Sequence, residues 1–498
     1  MDTLNYLREE IKNEAKDYIK HLLRFKTIII LVYLLLEIFV FIKIGRSNTL
    51  MAASSLFINL FILCSLVLMF KDFKTTLKIF ALSIPLIPIV LYLLFRLNMD
   101  KYGDVIYLVY FVVFIVNTIK EMQYGNIDFK MIFSNKKFLR LSIVYFILTV
   151  LGVLSVINSR YKIDSAKILI LGFVFMIFFS LIIISYKKRE DILISDLIFY
   201  LALGVAISGI PDTLIAFYTI ITRNNNTHLY GALGSNFMLG YTILLLPFII
   251  FNSLNRKVDS KHYYLYNLLM VMEVFILVTQ RSRGILLALA ICFFLVFLVY
   301  RKRKLKLLII AAIVLSSVTY NVIYRPEFNE LREEISTNPN VTLNLFSKNE
   351  FINKILQQTK NRRPIWGLTF NIINDYPYYG IGPGQYRYYY LEYGGDILRS
   401  YKDAHNVILN ITVDFGIPFA VVFFFSLFLL WLKAFINGIK SKIDSLERYL
   451  LLACIGIFCF MAYGNITGQA FMTFVPPISI VPAFILAVIT TLMVIKTS

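Results

Sequence analysis

The chain has 498 residues, of which 58% are hydrophobic and only 16% are charged. A typical soluble domain is about half apolar and about a quarter charged, so this composition indicates an integral membrane protein. It excludes a soluble enzyme, a nucleic-acid-binding protein and a disulfide-rich secreted domain as the main interpretation. The four cysteines all lie in apolar runs, and their spacing indicates neither a metal site nor a disulfide framework.

The apolar runs predict an all-α polytopic membrane protein with about fourteen transmembrane helices (about 12 to 14), since each span needs about 20 mostly apolar residues. A helix satisfies its own backbone polar groups, as hydrocarbon requires. One run contains Gly209 and Pro211, which predict a broken or re-entrant helix. The runs lie at 27–44, 49–70, 77–96, 104–119, 139–158, 167–186, 192–221, 231–251, 263–279, 284–300, 305–322, 406–434, 449–467 and 475–495.

Residues 1–26 are charged throughout and lack a short apolar region followed by a small-residue cleavage site, so we predict no cleavable signal peptide. Their apolar residues recur roughly on one helical face, which predicts an amphipathic arm on the cytoplasmic surface. We expect residues 27–322 to hold transmembrane helices 1 to 11, and residues 406–498 to hold helices 12 to 14. Residues 323–405 then form one long outer loop.

The net charge of +20 agrees with an orientation in which both termini are cytoplasmic. In that orientation the cytoplasmic segments hold 30 of the 50 Lys and Arg residues, and the short outer loops hold 10. Cytoplasmic loops of membrane proteins carry an excess of Lys and Arg. Most of the excess positive charge is therefore an orientation signal and does not indicate a nucleic-acid site.

The long outer loop contains more residues than a simple connection needs, which indicates a functional site. Its pattern predicts short helices at Glu327–Ile335 and Phe351–Thr359, and a third that begins near Pro364. Gly380, Gly382 and Gly384 predict a tight turn. Nine tyrosines lie between residues 376 and 401.

Two pairs of arginines are candidates for binding an anion. Arg281 and Arg283 lie at the outer mouth between two predicted spans, where a guanidinium is costly unless it faces a polar cavity or an anionic partner. Arg362 and Arg363 begin the predicted short helix. Guanidinium groups bind diphosphate in a bidentate way. Snorkelling to the interface, or ordinary surface charge, remains the alternative for both pairs.

His405 and Asn406 lie where the long loop re-enters the membrane. A neutral imidazole there accepts a proton near neutral pH, although a structural histidine is the alternative. Trp366 and the tyrosines around Tyr386 offer platforms for sugar rings, or else form an aromatic belt at headgroup level.

Acidic residues within apolar runs support a rival interpretation, a transporter, because intramembrane carboxylates are often functional. No Asp-x-Asp pair occurs in an outer loop, so no metal site is predicted, and no Gly-Lys-Ser/Thr phosphate loop is present. These acidic residues are Glu37, Asp196, Asp212, Glu273 and Asp414.

Four segments together resemble the O-antigen ligase and O-antigen polymerase superfamily. Residues 279–284 are similar to its Thr-x-Ser-Arg-Gly signature with one residue inserted. Residues 363–366 and 375–384 are similar to its Arg-x-x-Trp…Pro-Leu-x-Gly-Val-Gly-x-Gly segment. Residues 405–416 resemble His-Asn-x-x-Leu…Glu-x-Gly, and residues 231–236 resemble Gly-x-x-x-Asn-Pro-Asn. The resemblance spans about 200 residues, from Gly231 to roughly Phe425.

The resemblance implies an inverting glycosyltransferase that needs neither metal nor cofactor and works on the outer face of the bacterial inner membrane. The resemblance implies a donor glycan carried on undecaprenyl diphosphate. By the same resemblance, we expect Arg283 and Arg363 to bind the diphosphate, with Arg281 and Arg362 as neighbours. We expect His405 to activate the acceptor hydroxyl or to help stabilise the departing diphosphate.

Trp366, Tyr386, Asn406 and His228 are the further substrate-binding candidates, and His228 stands where the family often has an arginine. The superfamily contains polymerases of lipid-linked repeat units and ligases that transfer finished glycan to lipid A core or another acceptor. The richness in Lys, Ile and Asn suggests an A/T-rich genome. Many bacteria with such genomes make surface polysaccharide without lipopolysaccharide, which favours a polymerase. A flippase and a chain-length regulator are the partners that the family implies. A lipid-linked glycan flippase is the remote alternative function.

Overall fold

The computed structural model describes residues 63–83, 85–86, 103–130, 136–186, 196–197, 199–207, 237–255, 263–279, 283–299, 363–395, 403–440 and 446–467. Within these ranges the chain is helical and forms no β-strand, apart from one isolated bridge between Ile127 and Tyr186. The predicted all-α fold is therefore confirmed for the described part of the chain.

Thirteen α-helices make up most of the described structure. They are α1 (Phe73–Ser83), α2 (Gly103–Gln123), α3 (Lys136–Asn158), α4 (Lys162–Leu169), α5 (Phe175–Ser185), α6 (Phe237–Asn255), α7 (Tyr263–Thr279), α8 (Arg283–Val299), α9 (Arg363–Asp375), α10 (Tyr386–Glu392), α11 (Val407–Phe415), α12 (Ile417–Lys440) and α13 (Leu446–Thr467). A π-helical turn, Ile170–Val174, joins α4 to α5.

The chain divides into two compact units, one made of Met1–Lys130 and Ser185–Gly204, the other of Met131–Ile184 and Val205–Ser498. In the first unit α1 contacts α2. The Asn117 side chain of α2 donates to the Met69 carbonyl at 2.8 Å and to the Thr76 hydroxyl at 3.2 Å. Asp196, one of the carboxylates that favoured a transporter, forms an ion pair with the Lys78 ammonium at 2.5 Å.

Helix α13 is the centre of packing in the second unit, where it contacts α6, α8 and α12. Its residues 451–457 are all buried. Gly456 allows the closest approach, because a Cβ there would overlap the Leu244 carbonyl of α6. At the start of α13 the buried Arg448 donates to the Val299 carbonyl at 3.1 Å and to the Ile439 carbonyl at 3.5 Å. Its cation thus lies at the carboxyl ends of α8 and α12, where helix dipoles favour positive charge.

Two of the described helices are long and apolar enough to cross a membrane. They are Leu139–Asn158 in α3 and Ile417–Ile439 in α12, with mean hydropathies of 2.3 and 2.4. Only 22% of each is buried inside the protein, so most of their apolar surface faces outward, unlike a core helix of a soluble protein. Shorter apolar helices lie at Thr242–Leu254, Tyr264–Val274, Leu287–Val299 and Leu451–Ala462.

Two predicted spans differ from the observed helices. The span predicted at 406–434 is broken at Gly416, whose φ of +87° ends α11 before α12 begins. The span predicted at 167–186 begins earlier, at Lys162, and contains the π-helical turn. The amphipathic arm, the spans at 27–44, 305–322 and 475–495, the break at Gly209 and Pro211, and the loop helices at 327–335 and 351–359 lie outside the described residues. The number of spans and the domain boundaries therefore remain predictions.

The close contact at Gly456 gives a test of this packing. We expect Gly456→Ala to lower the thermal unfolding temperature of the detergent-solubilised protein, because overpacking of this kind costs about 1–3 kcal/mol. The matched control is Gly367→Ala in α9, where a Cβ meets nothing within 4 Å. Since alanine is favoured over glycine in a helix by about 1 kcal/mol, the control should be neutral or stabilising. Equal effects of the two variants would contradict the α6–α13 contact.

Candidate functional site

His405 lies in the short connector, residues 403–406, that precedes α11. Its φ of +52° makes it the one non-glycine residue with positive φ among the described residues. One oxygen of the Asp403 carboxylate, Oδ1, accepts a hydrogen bond from the His405 backbone N–H at 2.7 Å and is hydrogen-bonded to the imidazole Nδ1 at 2.7 Å. A non-glycine residue in this conformation costs about 1–3 kcal/mol and needs a surrounding structure that holds it.

The surrounding structure holds the connector from both sides. The Trp366 indole N–H of α9 donates to the Ala404 carbonyl at 3.1 Å, and the Ala404 N–H donates to Asn410 Oδ1 at 2.6 Å. The Asn406 side chain caps α11 by accepting from the Leu409 N–H at 3.0 Å. Each such bond contributes about 0.5–1.5 kcal/mol net, so together they offset the strain at His405.

A glycine turn, residues 376–385, lies against the break between α11 and α12. Ile381 N–H donates to the Val413 carbonyl at 2.9 Å, and Gly382 N–H donates to the Asp414 carbonyl at 3.0 Å. In return, Ile417 N–H donates to the Pro377 carbonyl at 2.8 Å. The turn therefore pairs with the α11–α12 break through backbone groups, as neighbouring strands do.

Glycine is required on both sides of this contact. Gly380, Gly382 and Gly384 have φ of +66°, +96° and +77°, a conformation that residues with a Cβ rarely adopt. A Cβ at Gly380 would overlap the backbone of Asp414, and one at Gly416 would overlap the backbone of Tyr378. The sequence prediction of a tight turn at these glycines is confirmed.

The corner between α3 and α4 supports the glycine turn from a third direction. The Ser155 hydroxyl donates to the Asp414 carbonyl at 2.7 Å, and the Ser165 hydroxyl donates to the Pro383 carbonyl at 3.0 Å. The buried Gln385 amide donates to the Ser165 hydroxyl at 3.0 Å. The same corner contributes an exposed ion pair between Arg160 and Glu392.

The tyrosines of the loop divide between core and surface. Tyr386, Tyr389 and Tyr390 are buried in a cluster with residues of α9, whereas Tyr378 is 70% exposed. The Tyr386 hydroxyl hydrogen-bonds to the Thr369 hydroxyl at 2.8 Å. Burial raises the pKa of Tyr386, although its hydrogen bond with Thr369 opposes this effect.

The structure brings together three of the predicted site residues, Trp366, His405 and Asn406, around one connector. Tyr386, predicted as a sugar platform, is only 2% exposed, so its position supports a packing role and not contact with a sugar. Arg283 and Arg363 are the first residues of α8 and α9. The remaining candidates, Arg281, Arg362 and His228, lie outside the described residues.

The sequence analysis did not identify several residues that support the site. Asp403, two residues before His405, holds the imidazole, and the spacing Asp-Ala-His was the signal for this contact, because an Asp side chain often bonds the backbone two residues on. Asn410 fixes the Ala404 peptide. Ser155 and Ser165 had no sequence signal, since they reach the turn from a distant part of the chain.

Comparison with known families agrees with this geometry. Residues 266–424 match the family model described as O-antigen ligase. The matched segment runs from α7 into α12 and includes the glycine turn and the His405 connector. This match confirms the resemblance to the O-antigen ligase and polymerase superfamily. A search of characterised proteins gave no significant match.

The family match and the apolar helices together indicate a membrane protein. The described residues are those of a helical protein with helices apolar enough for a membrane, and residues 266–424 are similar to the O-antigen ligase family. The Asp403–Asn406 connector, supported by Trp366 and the glycine turn, is the candidate active site of this protein.

Gly382 allows the glycine turn to be tested. We expect Gly382→Ala to lower both thermal stability and activity, because its Cβ would overlap Ser159 at the α3–α4 corner. Gly394→Ala is the matched control, since Gly394 also has positive φ (+84°) but a Cβ there meets nothing within 4 Å. The backbone strain of a non-glycine residue at positive φ, about 1–3 kcal/mol, is common to both variants. Unfolding temperature and glycan synthesis should separate them, and equal losses would contradict the proposed support by the corner.

Proposed function

We propose that this protein is a membrane glycosyltransferase that polymerises oligosaccharide repeat units carried on undecaprenyl diphosphate. The observation that carries this proposal is the convergence of three motif segments on His405. Trp366 holds the Ala404 peptide, the glycine turn pairs with the end of α11, and Asn406 caps α11. All three belong to the segment that matches the O-antigen ligase family.

In the proposed reaction, His405 accepts the proton of an acceptor sugar hydroxyl. The hydroxyl oxygen attacks the anomeric carbon of the donor glycan, the bond from that carbon to the diphosphate oxygen breaks, and undecaprenyl diphosphate leaves. Attack from the opposite side inverts the anomeric centre. A positioned general base of this kind contributes about 10²- to 10⁴-fold in rate.

Arg283 and Arg363 are proposed to bind the leaving diphosphate, with Arg281 and Arg362 beside them. Both Arg283 and Arg363 begin helices, of 17 and 13 residues. Backbone N–H groups and the dipole at a helix N-terminus favour anions. Each arginine therefore lies at a helix end that already favours a phosphate. Guanidinium groups that stabilise developing charge replace a divalent cation in this scheme.

The proposed arrangement in the cell follows the sequence prediction. Residues 323–405 face the outside of the bacterial inner membrane, and both termini lie in the cytoplasm. Trp366, Asn406 and His228 contribute to substrate binding. A flippase supplies the lipid-linked donor, and a chain-length regulator acts with the polymerase.

A ligase is the second candidate, because the matching family is described as O-antigen ligase. In that case the reaction at His405 is unchanged, but the acceptor is lipid A core or another molecule that carries no lipid diphosphate. Identity of the acceptor, and not the chemistry of the site, separates the two candidates.

The length of the surface polymer tests the proposed function. In a strain that lacks its own copy, the wild-type protein should restore a ladder of long glycan on gels. Arg283→Ala, Arg363→Ala and His405→Ala, at matched expression, should leave single repeat units, because each loses a group that acts on the diphosphate or the acceptor. Arg387→Ala, on the exposed surface of α10, is the control and should restore the full ladder.

The other outcomes distinguish the alternatives. Long lipid-linked chains that fail to reach a final acceptor would establish a ligase and overturn the polymerase. Wild-type ladders from all three variants would overturn the site, and loss in Glu273→Gln instead would favour transport, since Glu273 is a fully buried carboxylate of α7.

Metal independence has a separate test. We expect glycan transfer by the purified protein, reconstituted with lipid-linked repeat units, to survive a chelator that removes divalent cations, because arginines supply the positive charge. Chain formation is measured with and without the chelator. Activity that disappears with the chelator and returns with magnesium would contradict this part of the mechanism.

A further inference from the structure

We infer that Asp403 is a positioning residue that fixes the imidazole of His405 in the tautomer with hydrogen on Nδ1. The basic nitrogen, Nε2, is then the atom that takes the acceptor proton. The use of this tautomer in catalysis rests on the proposed function, but the tautomer itself is a property of the protein alone.

The hydrogen-bond geometry around Asp403 determines the assignment. Its Oδ1 lies 2.7 Å from both the His405 backbone nitrogen and Nδ1. A carboxylate oxygen accepts hydrogen bonds and has no hydrogen to donate. Nδ1 must therefore carry the hydrogen, which leaves the lone pair of the neutral ring on Nε2.

The backbone makes this arrangement a built feature and not a chance contact between flexible side chains. With φ of +52°, His405 is held in a conformation that brings its own N–H and its ring nitrogen to the same carboxylate oxygen. Trp366 and Asn410 fix the Ala404 peptide that joins the two residues. The conformational entropy that is lost when the imidazole is oriented is therefore lost during folding and not when a substrate binds.

Other titratable groups face this pair from neighbouring elements. Asp414 of α11 and Tyr386 of α10 both interact electrostatically with Asp403. The Asp414 side chain accepts a hydrogen bond from the Gly384 N–H, and Tyr386 is bonded to Thr369. Both therefore have partners of their own, whereas Asp403 is the carboxylate that bonds the imidazole.

The position of Asp403 beside His405 favours base catalysis. When Nε2 takes the proton of the acceptor hydroxyl, the ring becomes a cation. The Asp403 carboxylate is already hydrogen-bonded to the other ring nitrogen, so it stabilises that cation and holds the ring in one orientation. Serine hydrolases use a buried aspartate in the same two ways.

Long-range ¹H–¹⁵N NMR of ring-labelled histidine tests the inference without any activity measurement. The chain has four histidines, and His405→Gln identifies the signal of interest in nanodisc-reconstituted protein. At alkaline pH, where imidazoles are neutral, we expect His405 to show the Nδ1–H pattern in the wild type. In Asp403→Ala we expect a mixture of both tautomers or the Nε2–H form.

A parallel activity assay uses Asp403→Ala, Asp403→Glu and a matched control. Turnover should fall roughly 100-fold in Asp403→Ala, within the range of a general base, with little change in KM. Asp403→Glu, which keeps a carboxylate, should recover part of the loss. The control is Asp375→Asn, since Asp375 is a carboxylate of the same segment whose observed partner is the Tyr393 hydroxyl.

Failures of the two proposals are distinguishable. An Nε2–H pattern in the wild type overturns the inference, even if Asp403→Ala fails to fold, and so does an unchanged Nδ1–H pattern in Asp403→Ala. If the tautomer depends on Asp403 but His405→Gln still transfers glycan, the positioning role stands. The proposed function of His405 as the base is then wrong.

Discussion

The pairing of the glycine turn with the α11–α12 break is the interaction on which the candidate site depends. Three backbone hydrogen bonds, from Ile381, Gly382 and Ile417, join the two segments. They form because glycines on both sides allow the main chains to approach without a Cβ between them. This contact fixes the end of α11, and through α11 it fixes the connector in which His405 lies.

Because backbone groups and capping side chains hold the connector, its imidazole does not have to contribute to stability. Asn406 satisfies the first turn of α11, and Trp366 and Asn410 satisfy the Ala404 peptide. The strain at His405 is local and is offset by these bonds. A side chain oriented in this way needs less rearrangement when a substrate arrives, which is the physical basis of preorganised catalysis.

The matched family segment, residues 266–424, contains the candidate active-site residues but not all of the residues that support them. Ser155 and Ser165, at the corner of α3 and α4, bond the Asp414 and Pro383 carbonyls. Helix α3 is also one of the two described helices that are long enough to span a membrane. The corner therefore connects the candidate site to a helix that precedes the family segment.

By itself the sequence determined the helical class, the helix at 263–279, a short helix that begins near Pro364, the glycine turn and the family motifs. Hydropathy, helix propensity and glycine conformations are properties of neighbouring residues, so a sequence pattern reveals them. Only the tertiary structure decided that Gly416 breaks a predicted span, that Tyr386 is buried, and that Ser155 meets Asp414 across 259 positions of sequence. It also brought the thiols of Cys292 and Cys459 into contact. Such contacts depend on which faces of distant helices meet, and a pattern of apolar residues alone does not specify that choice.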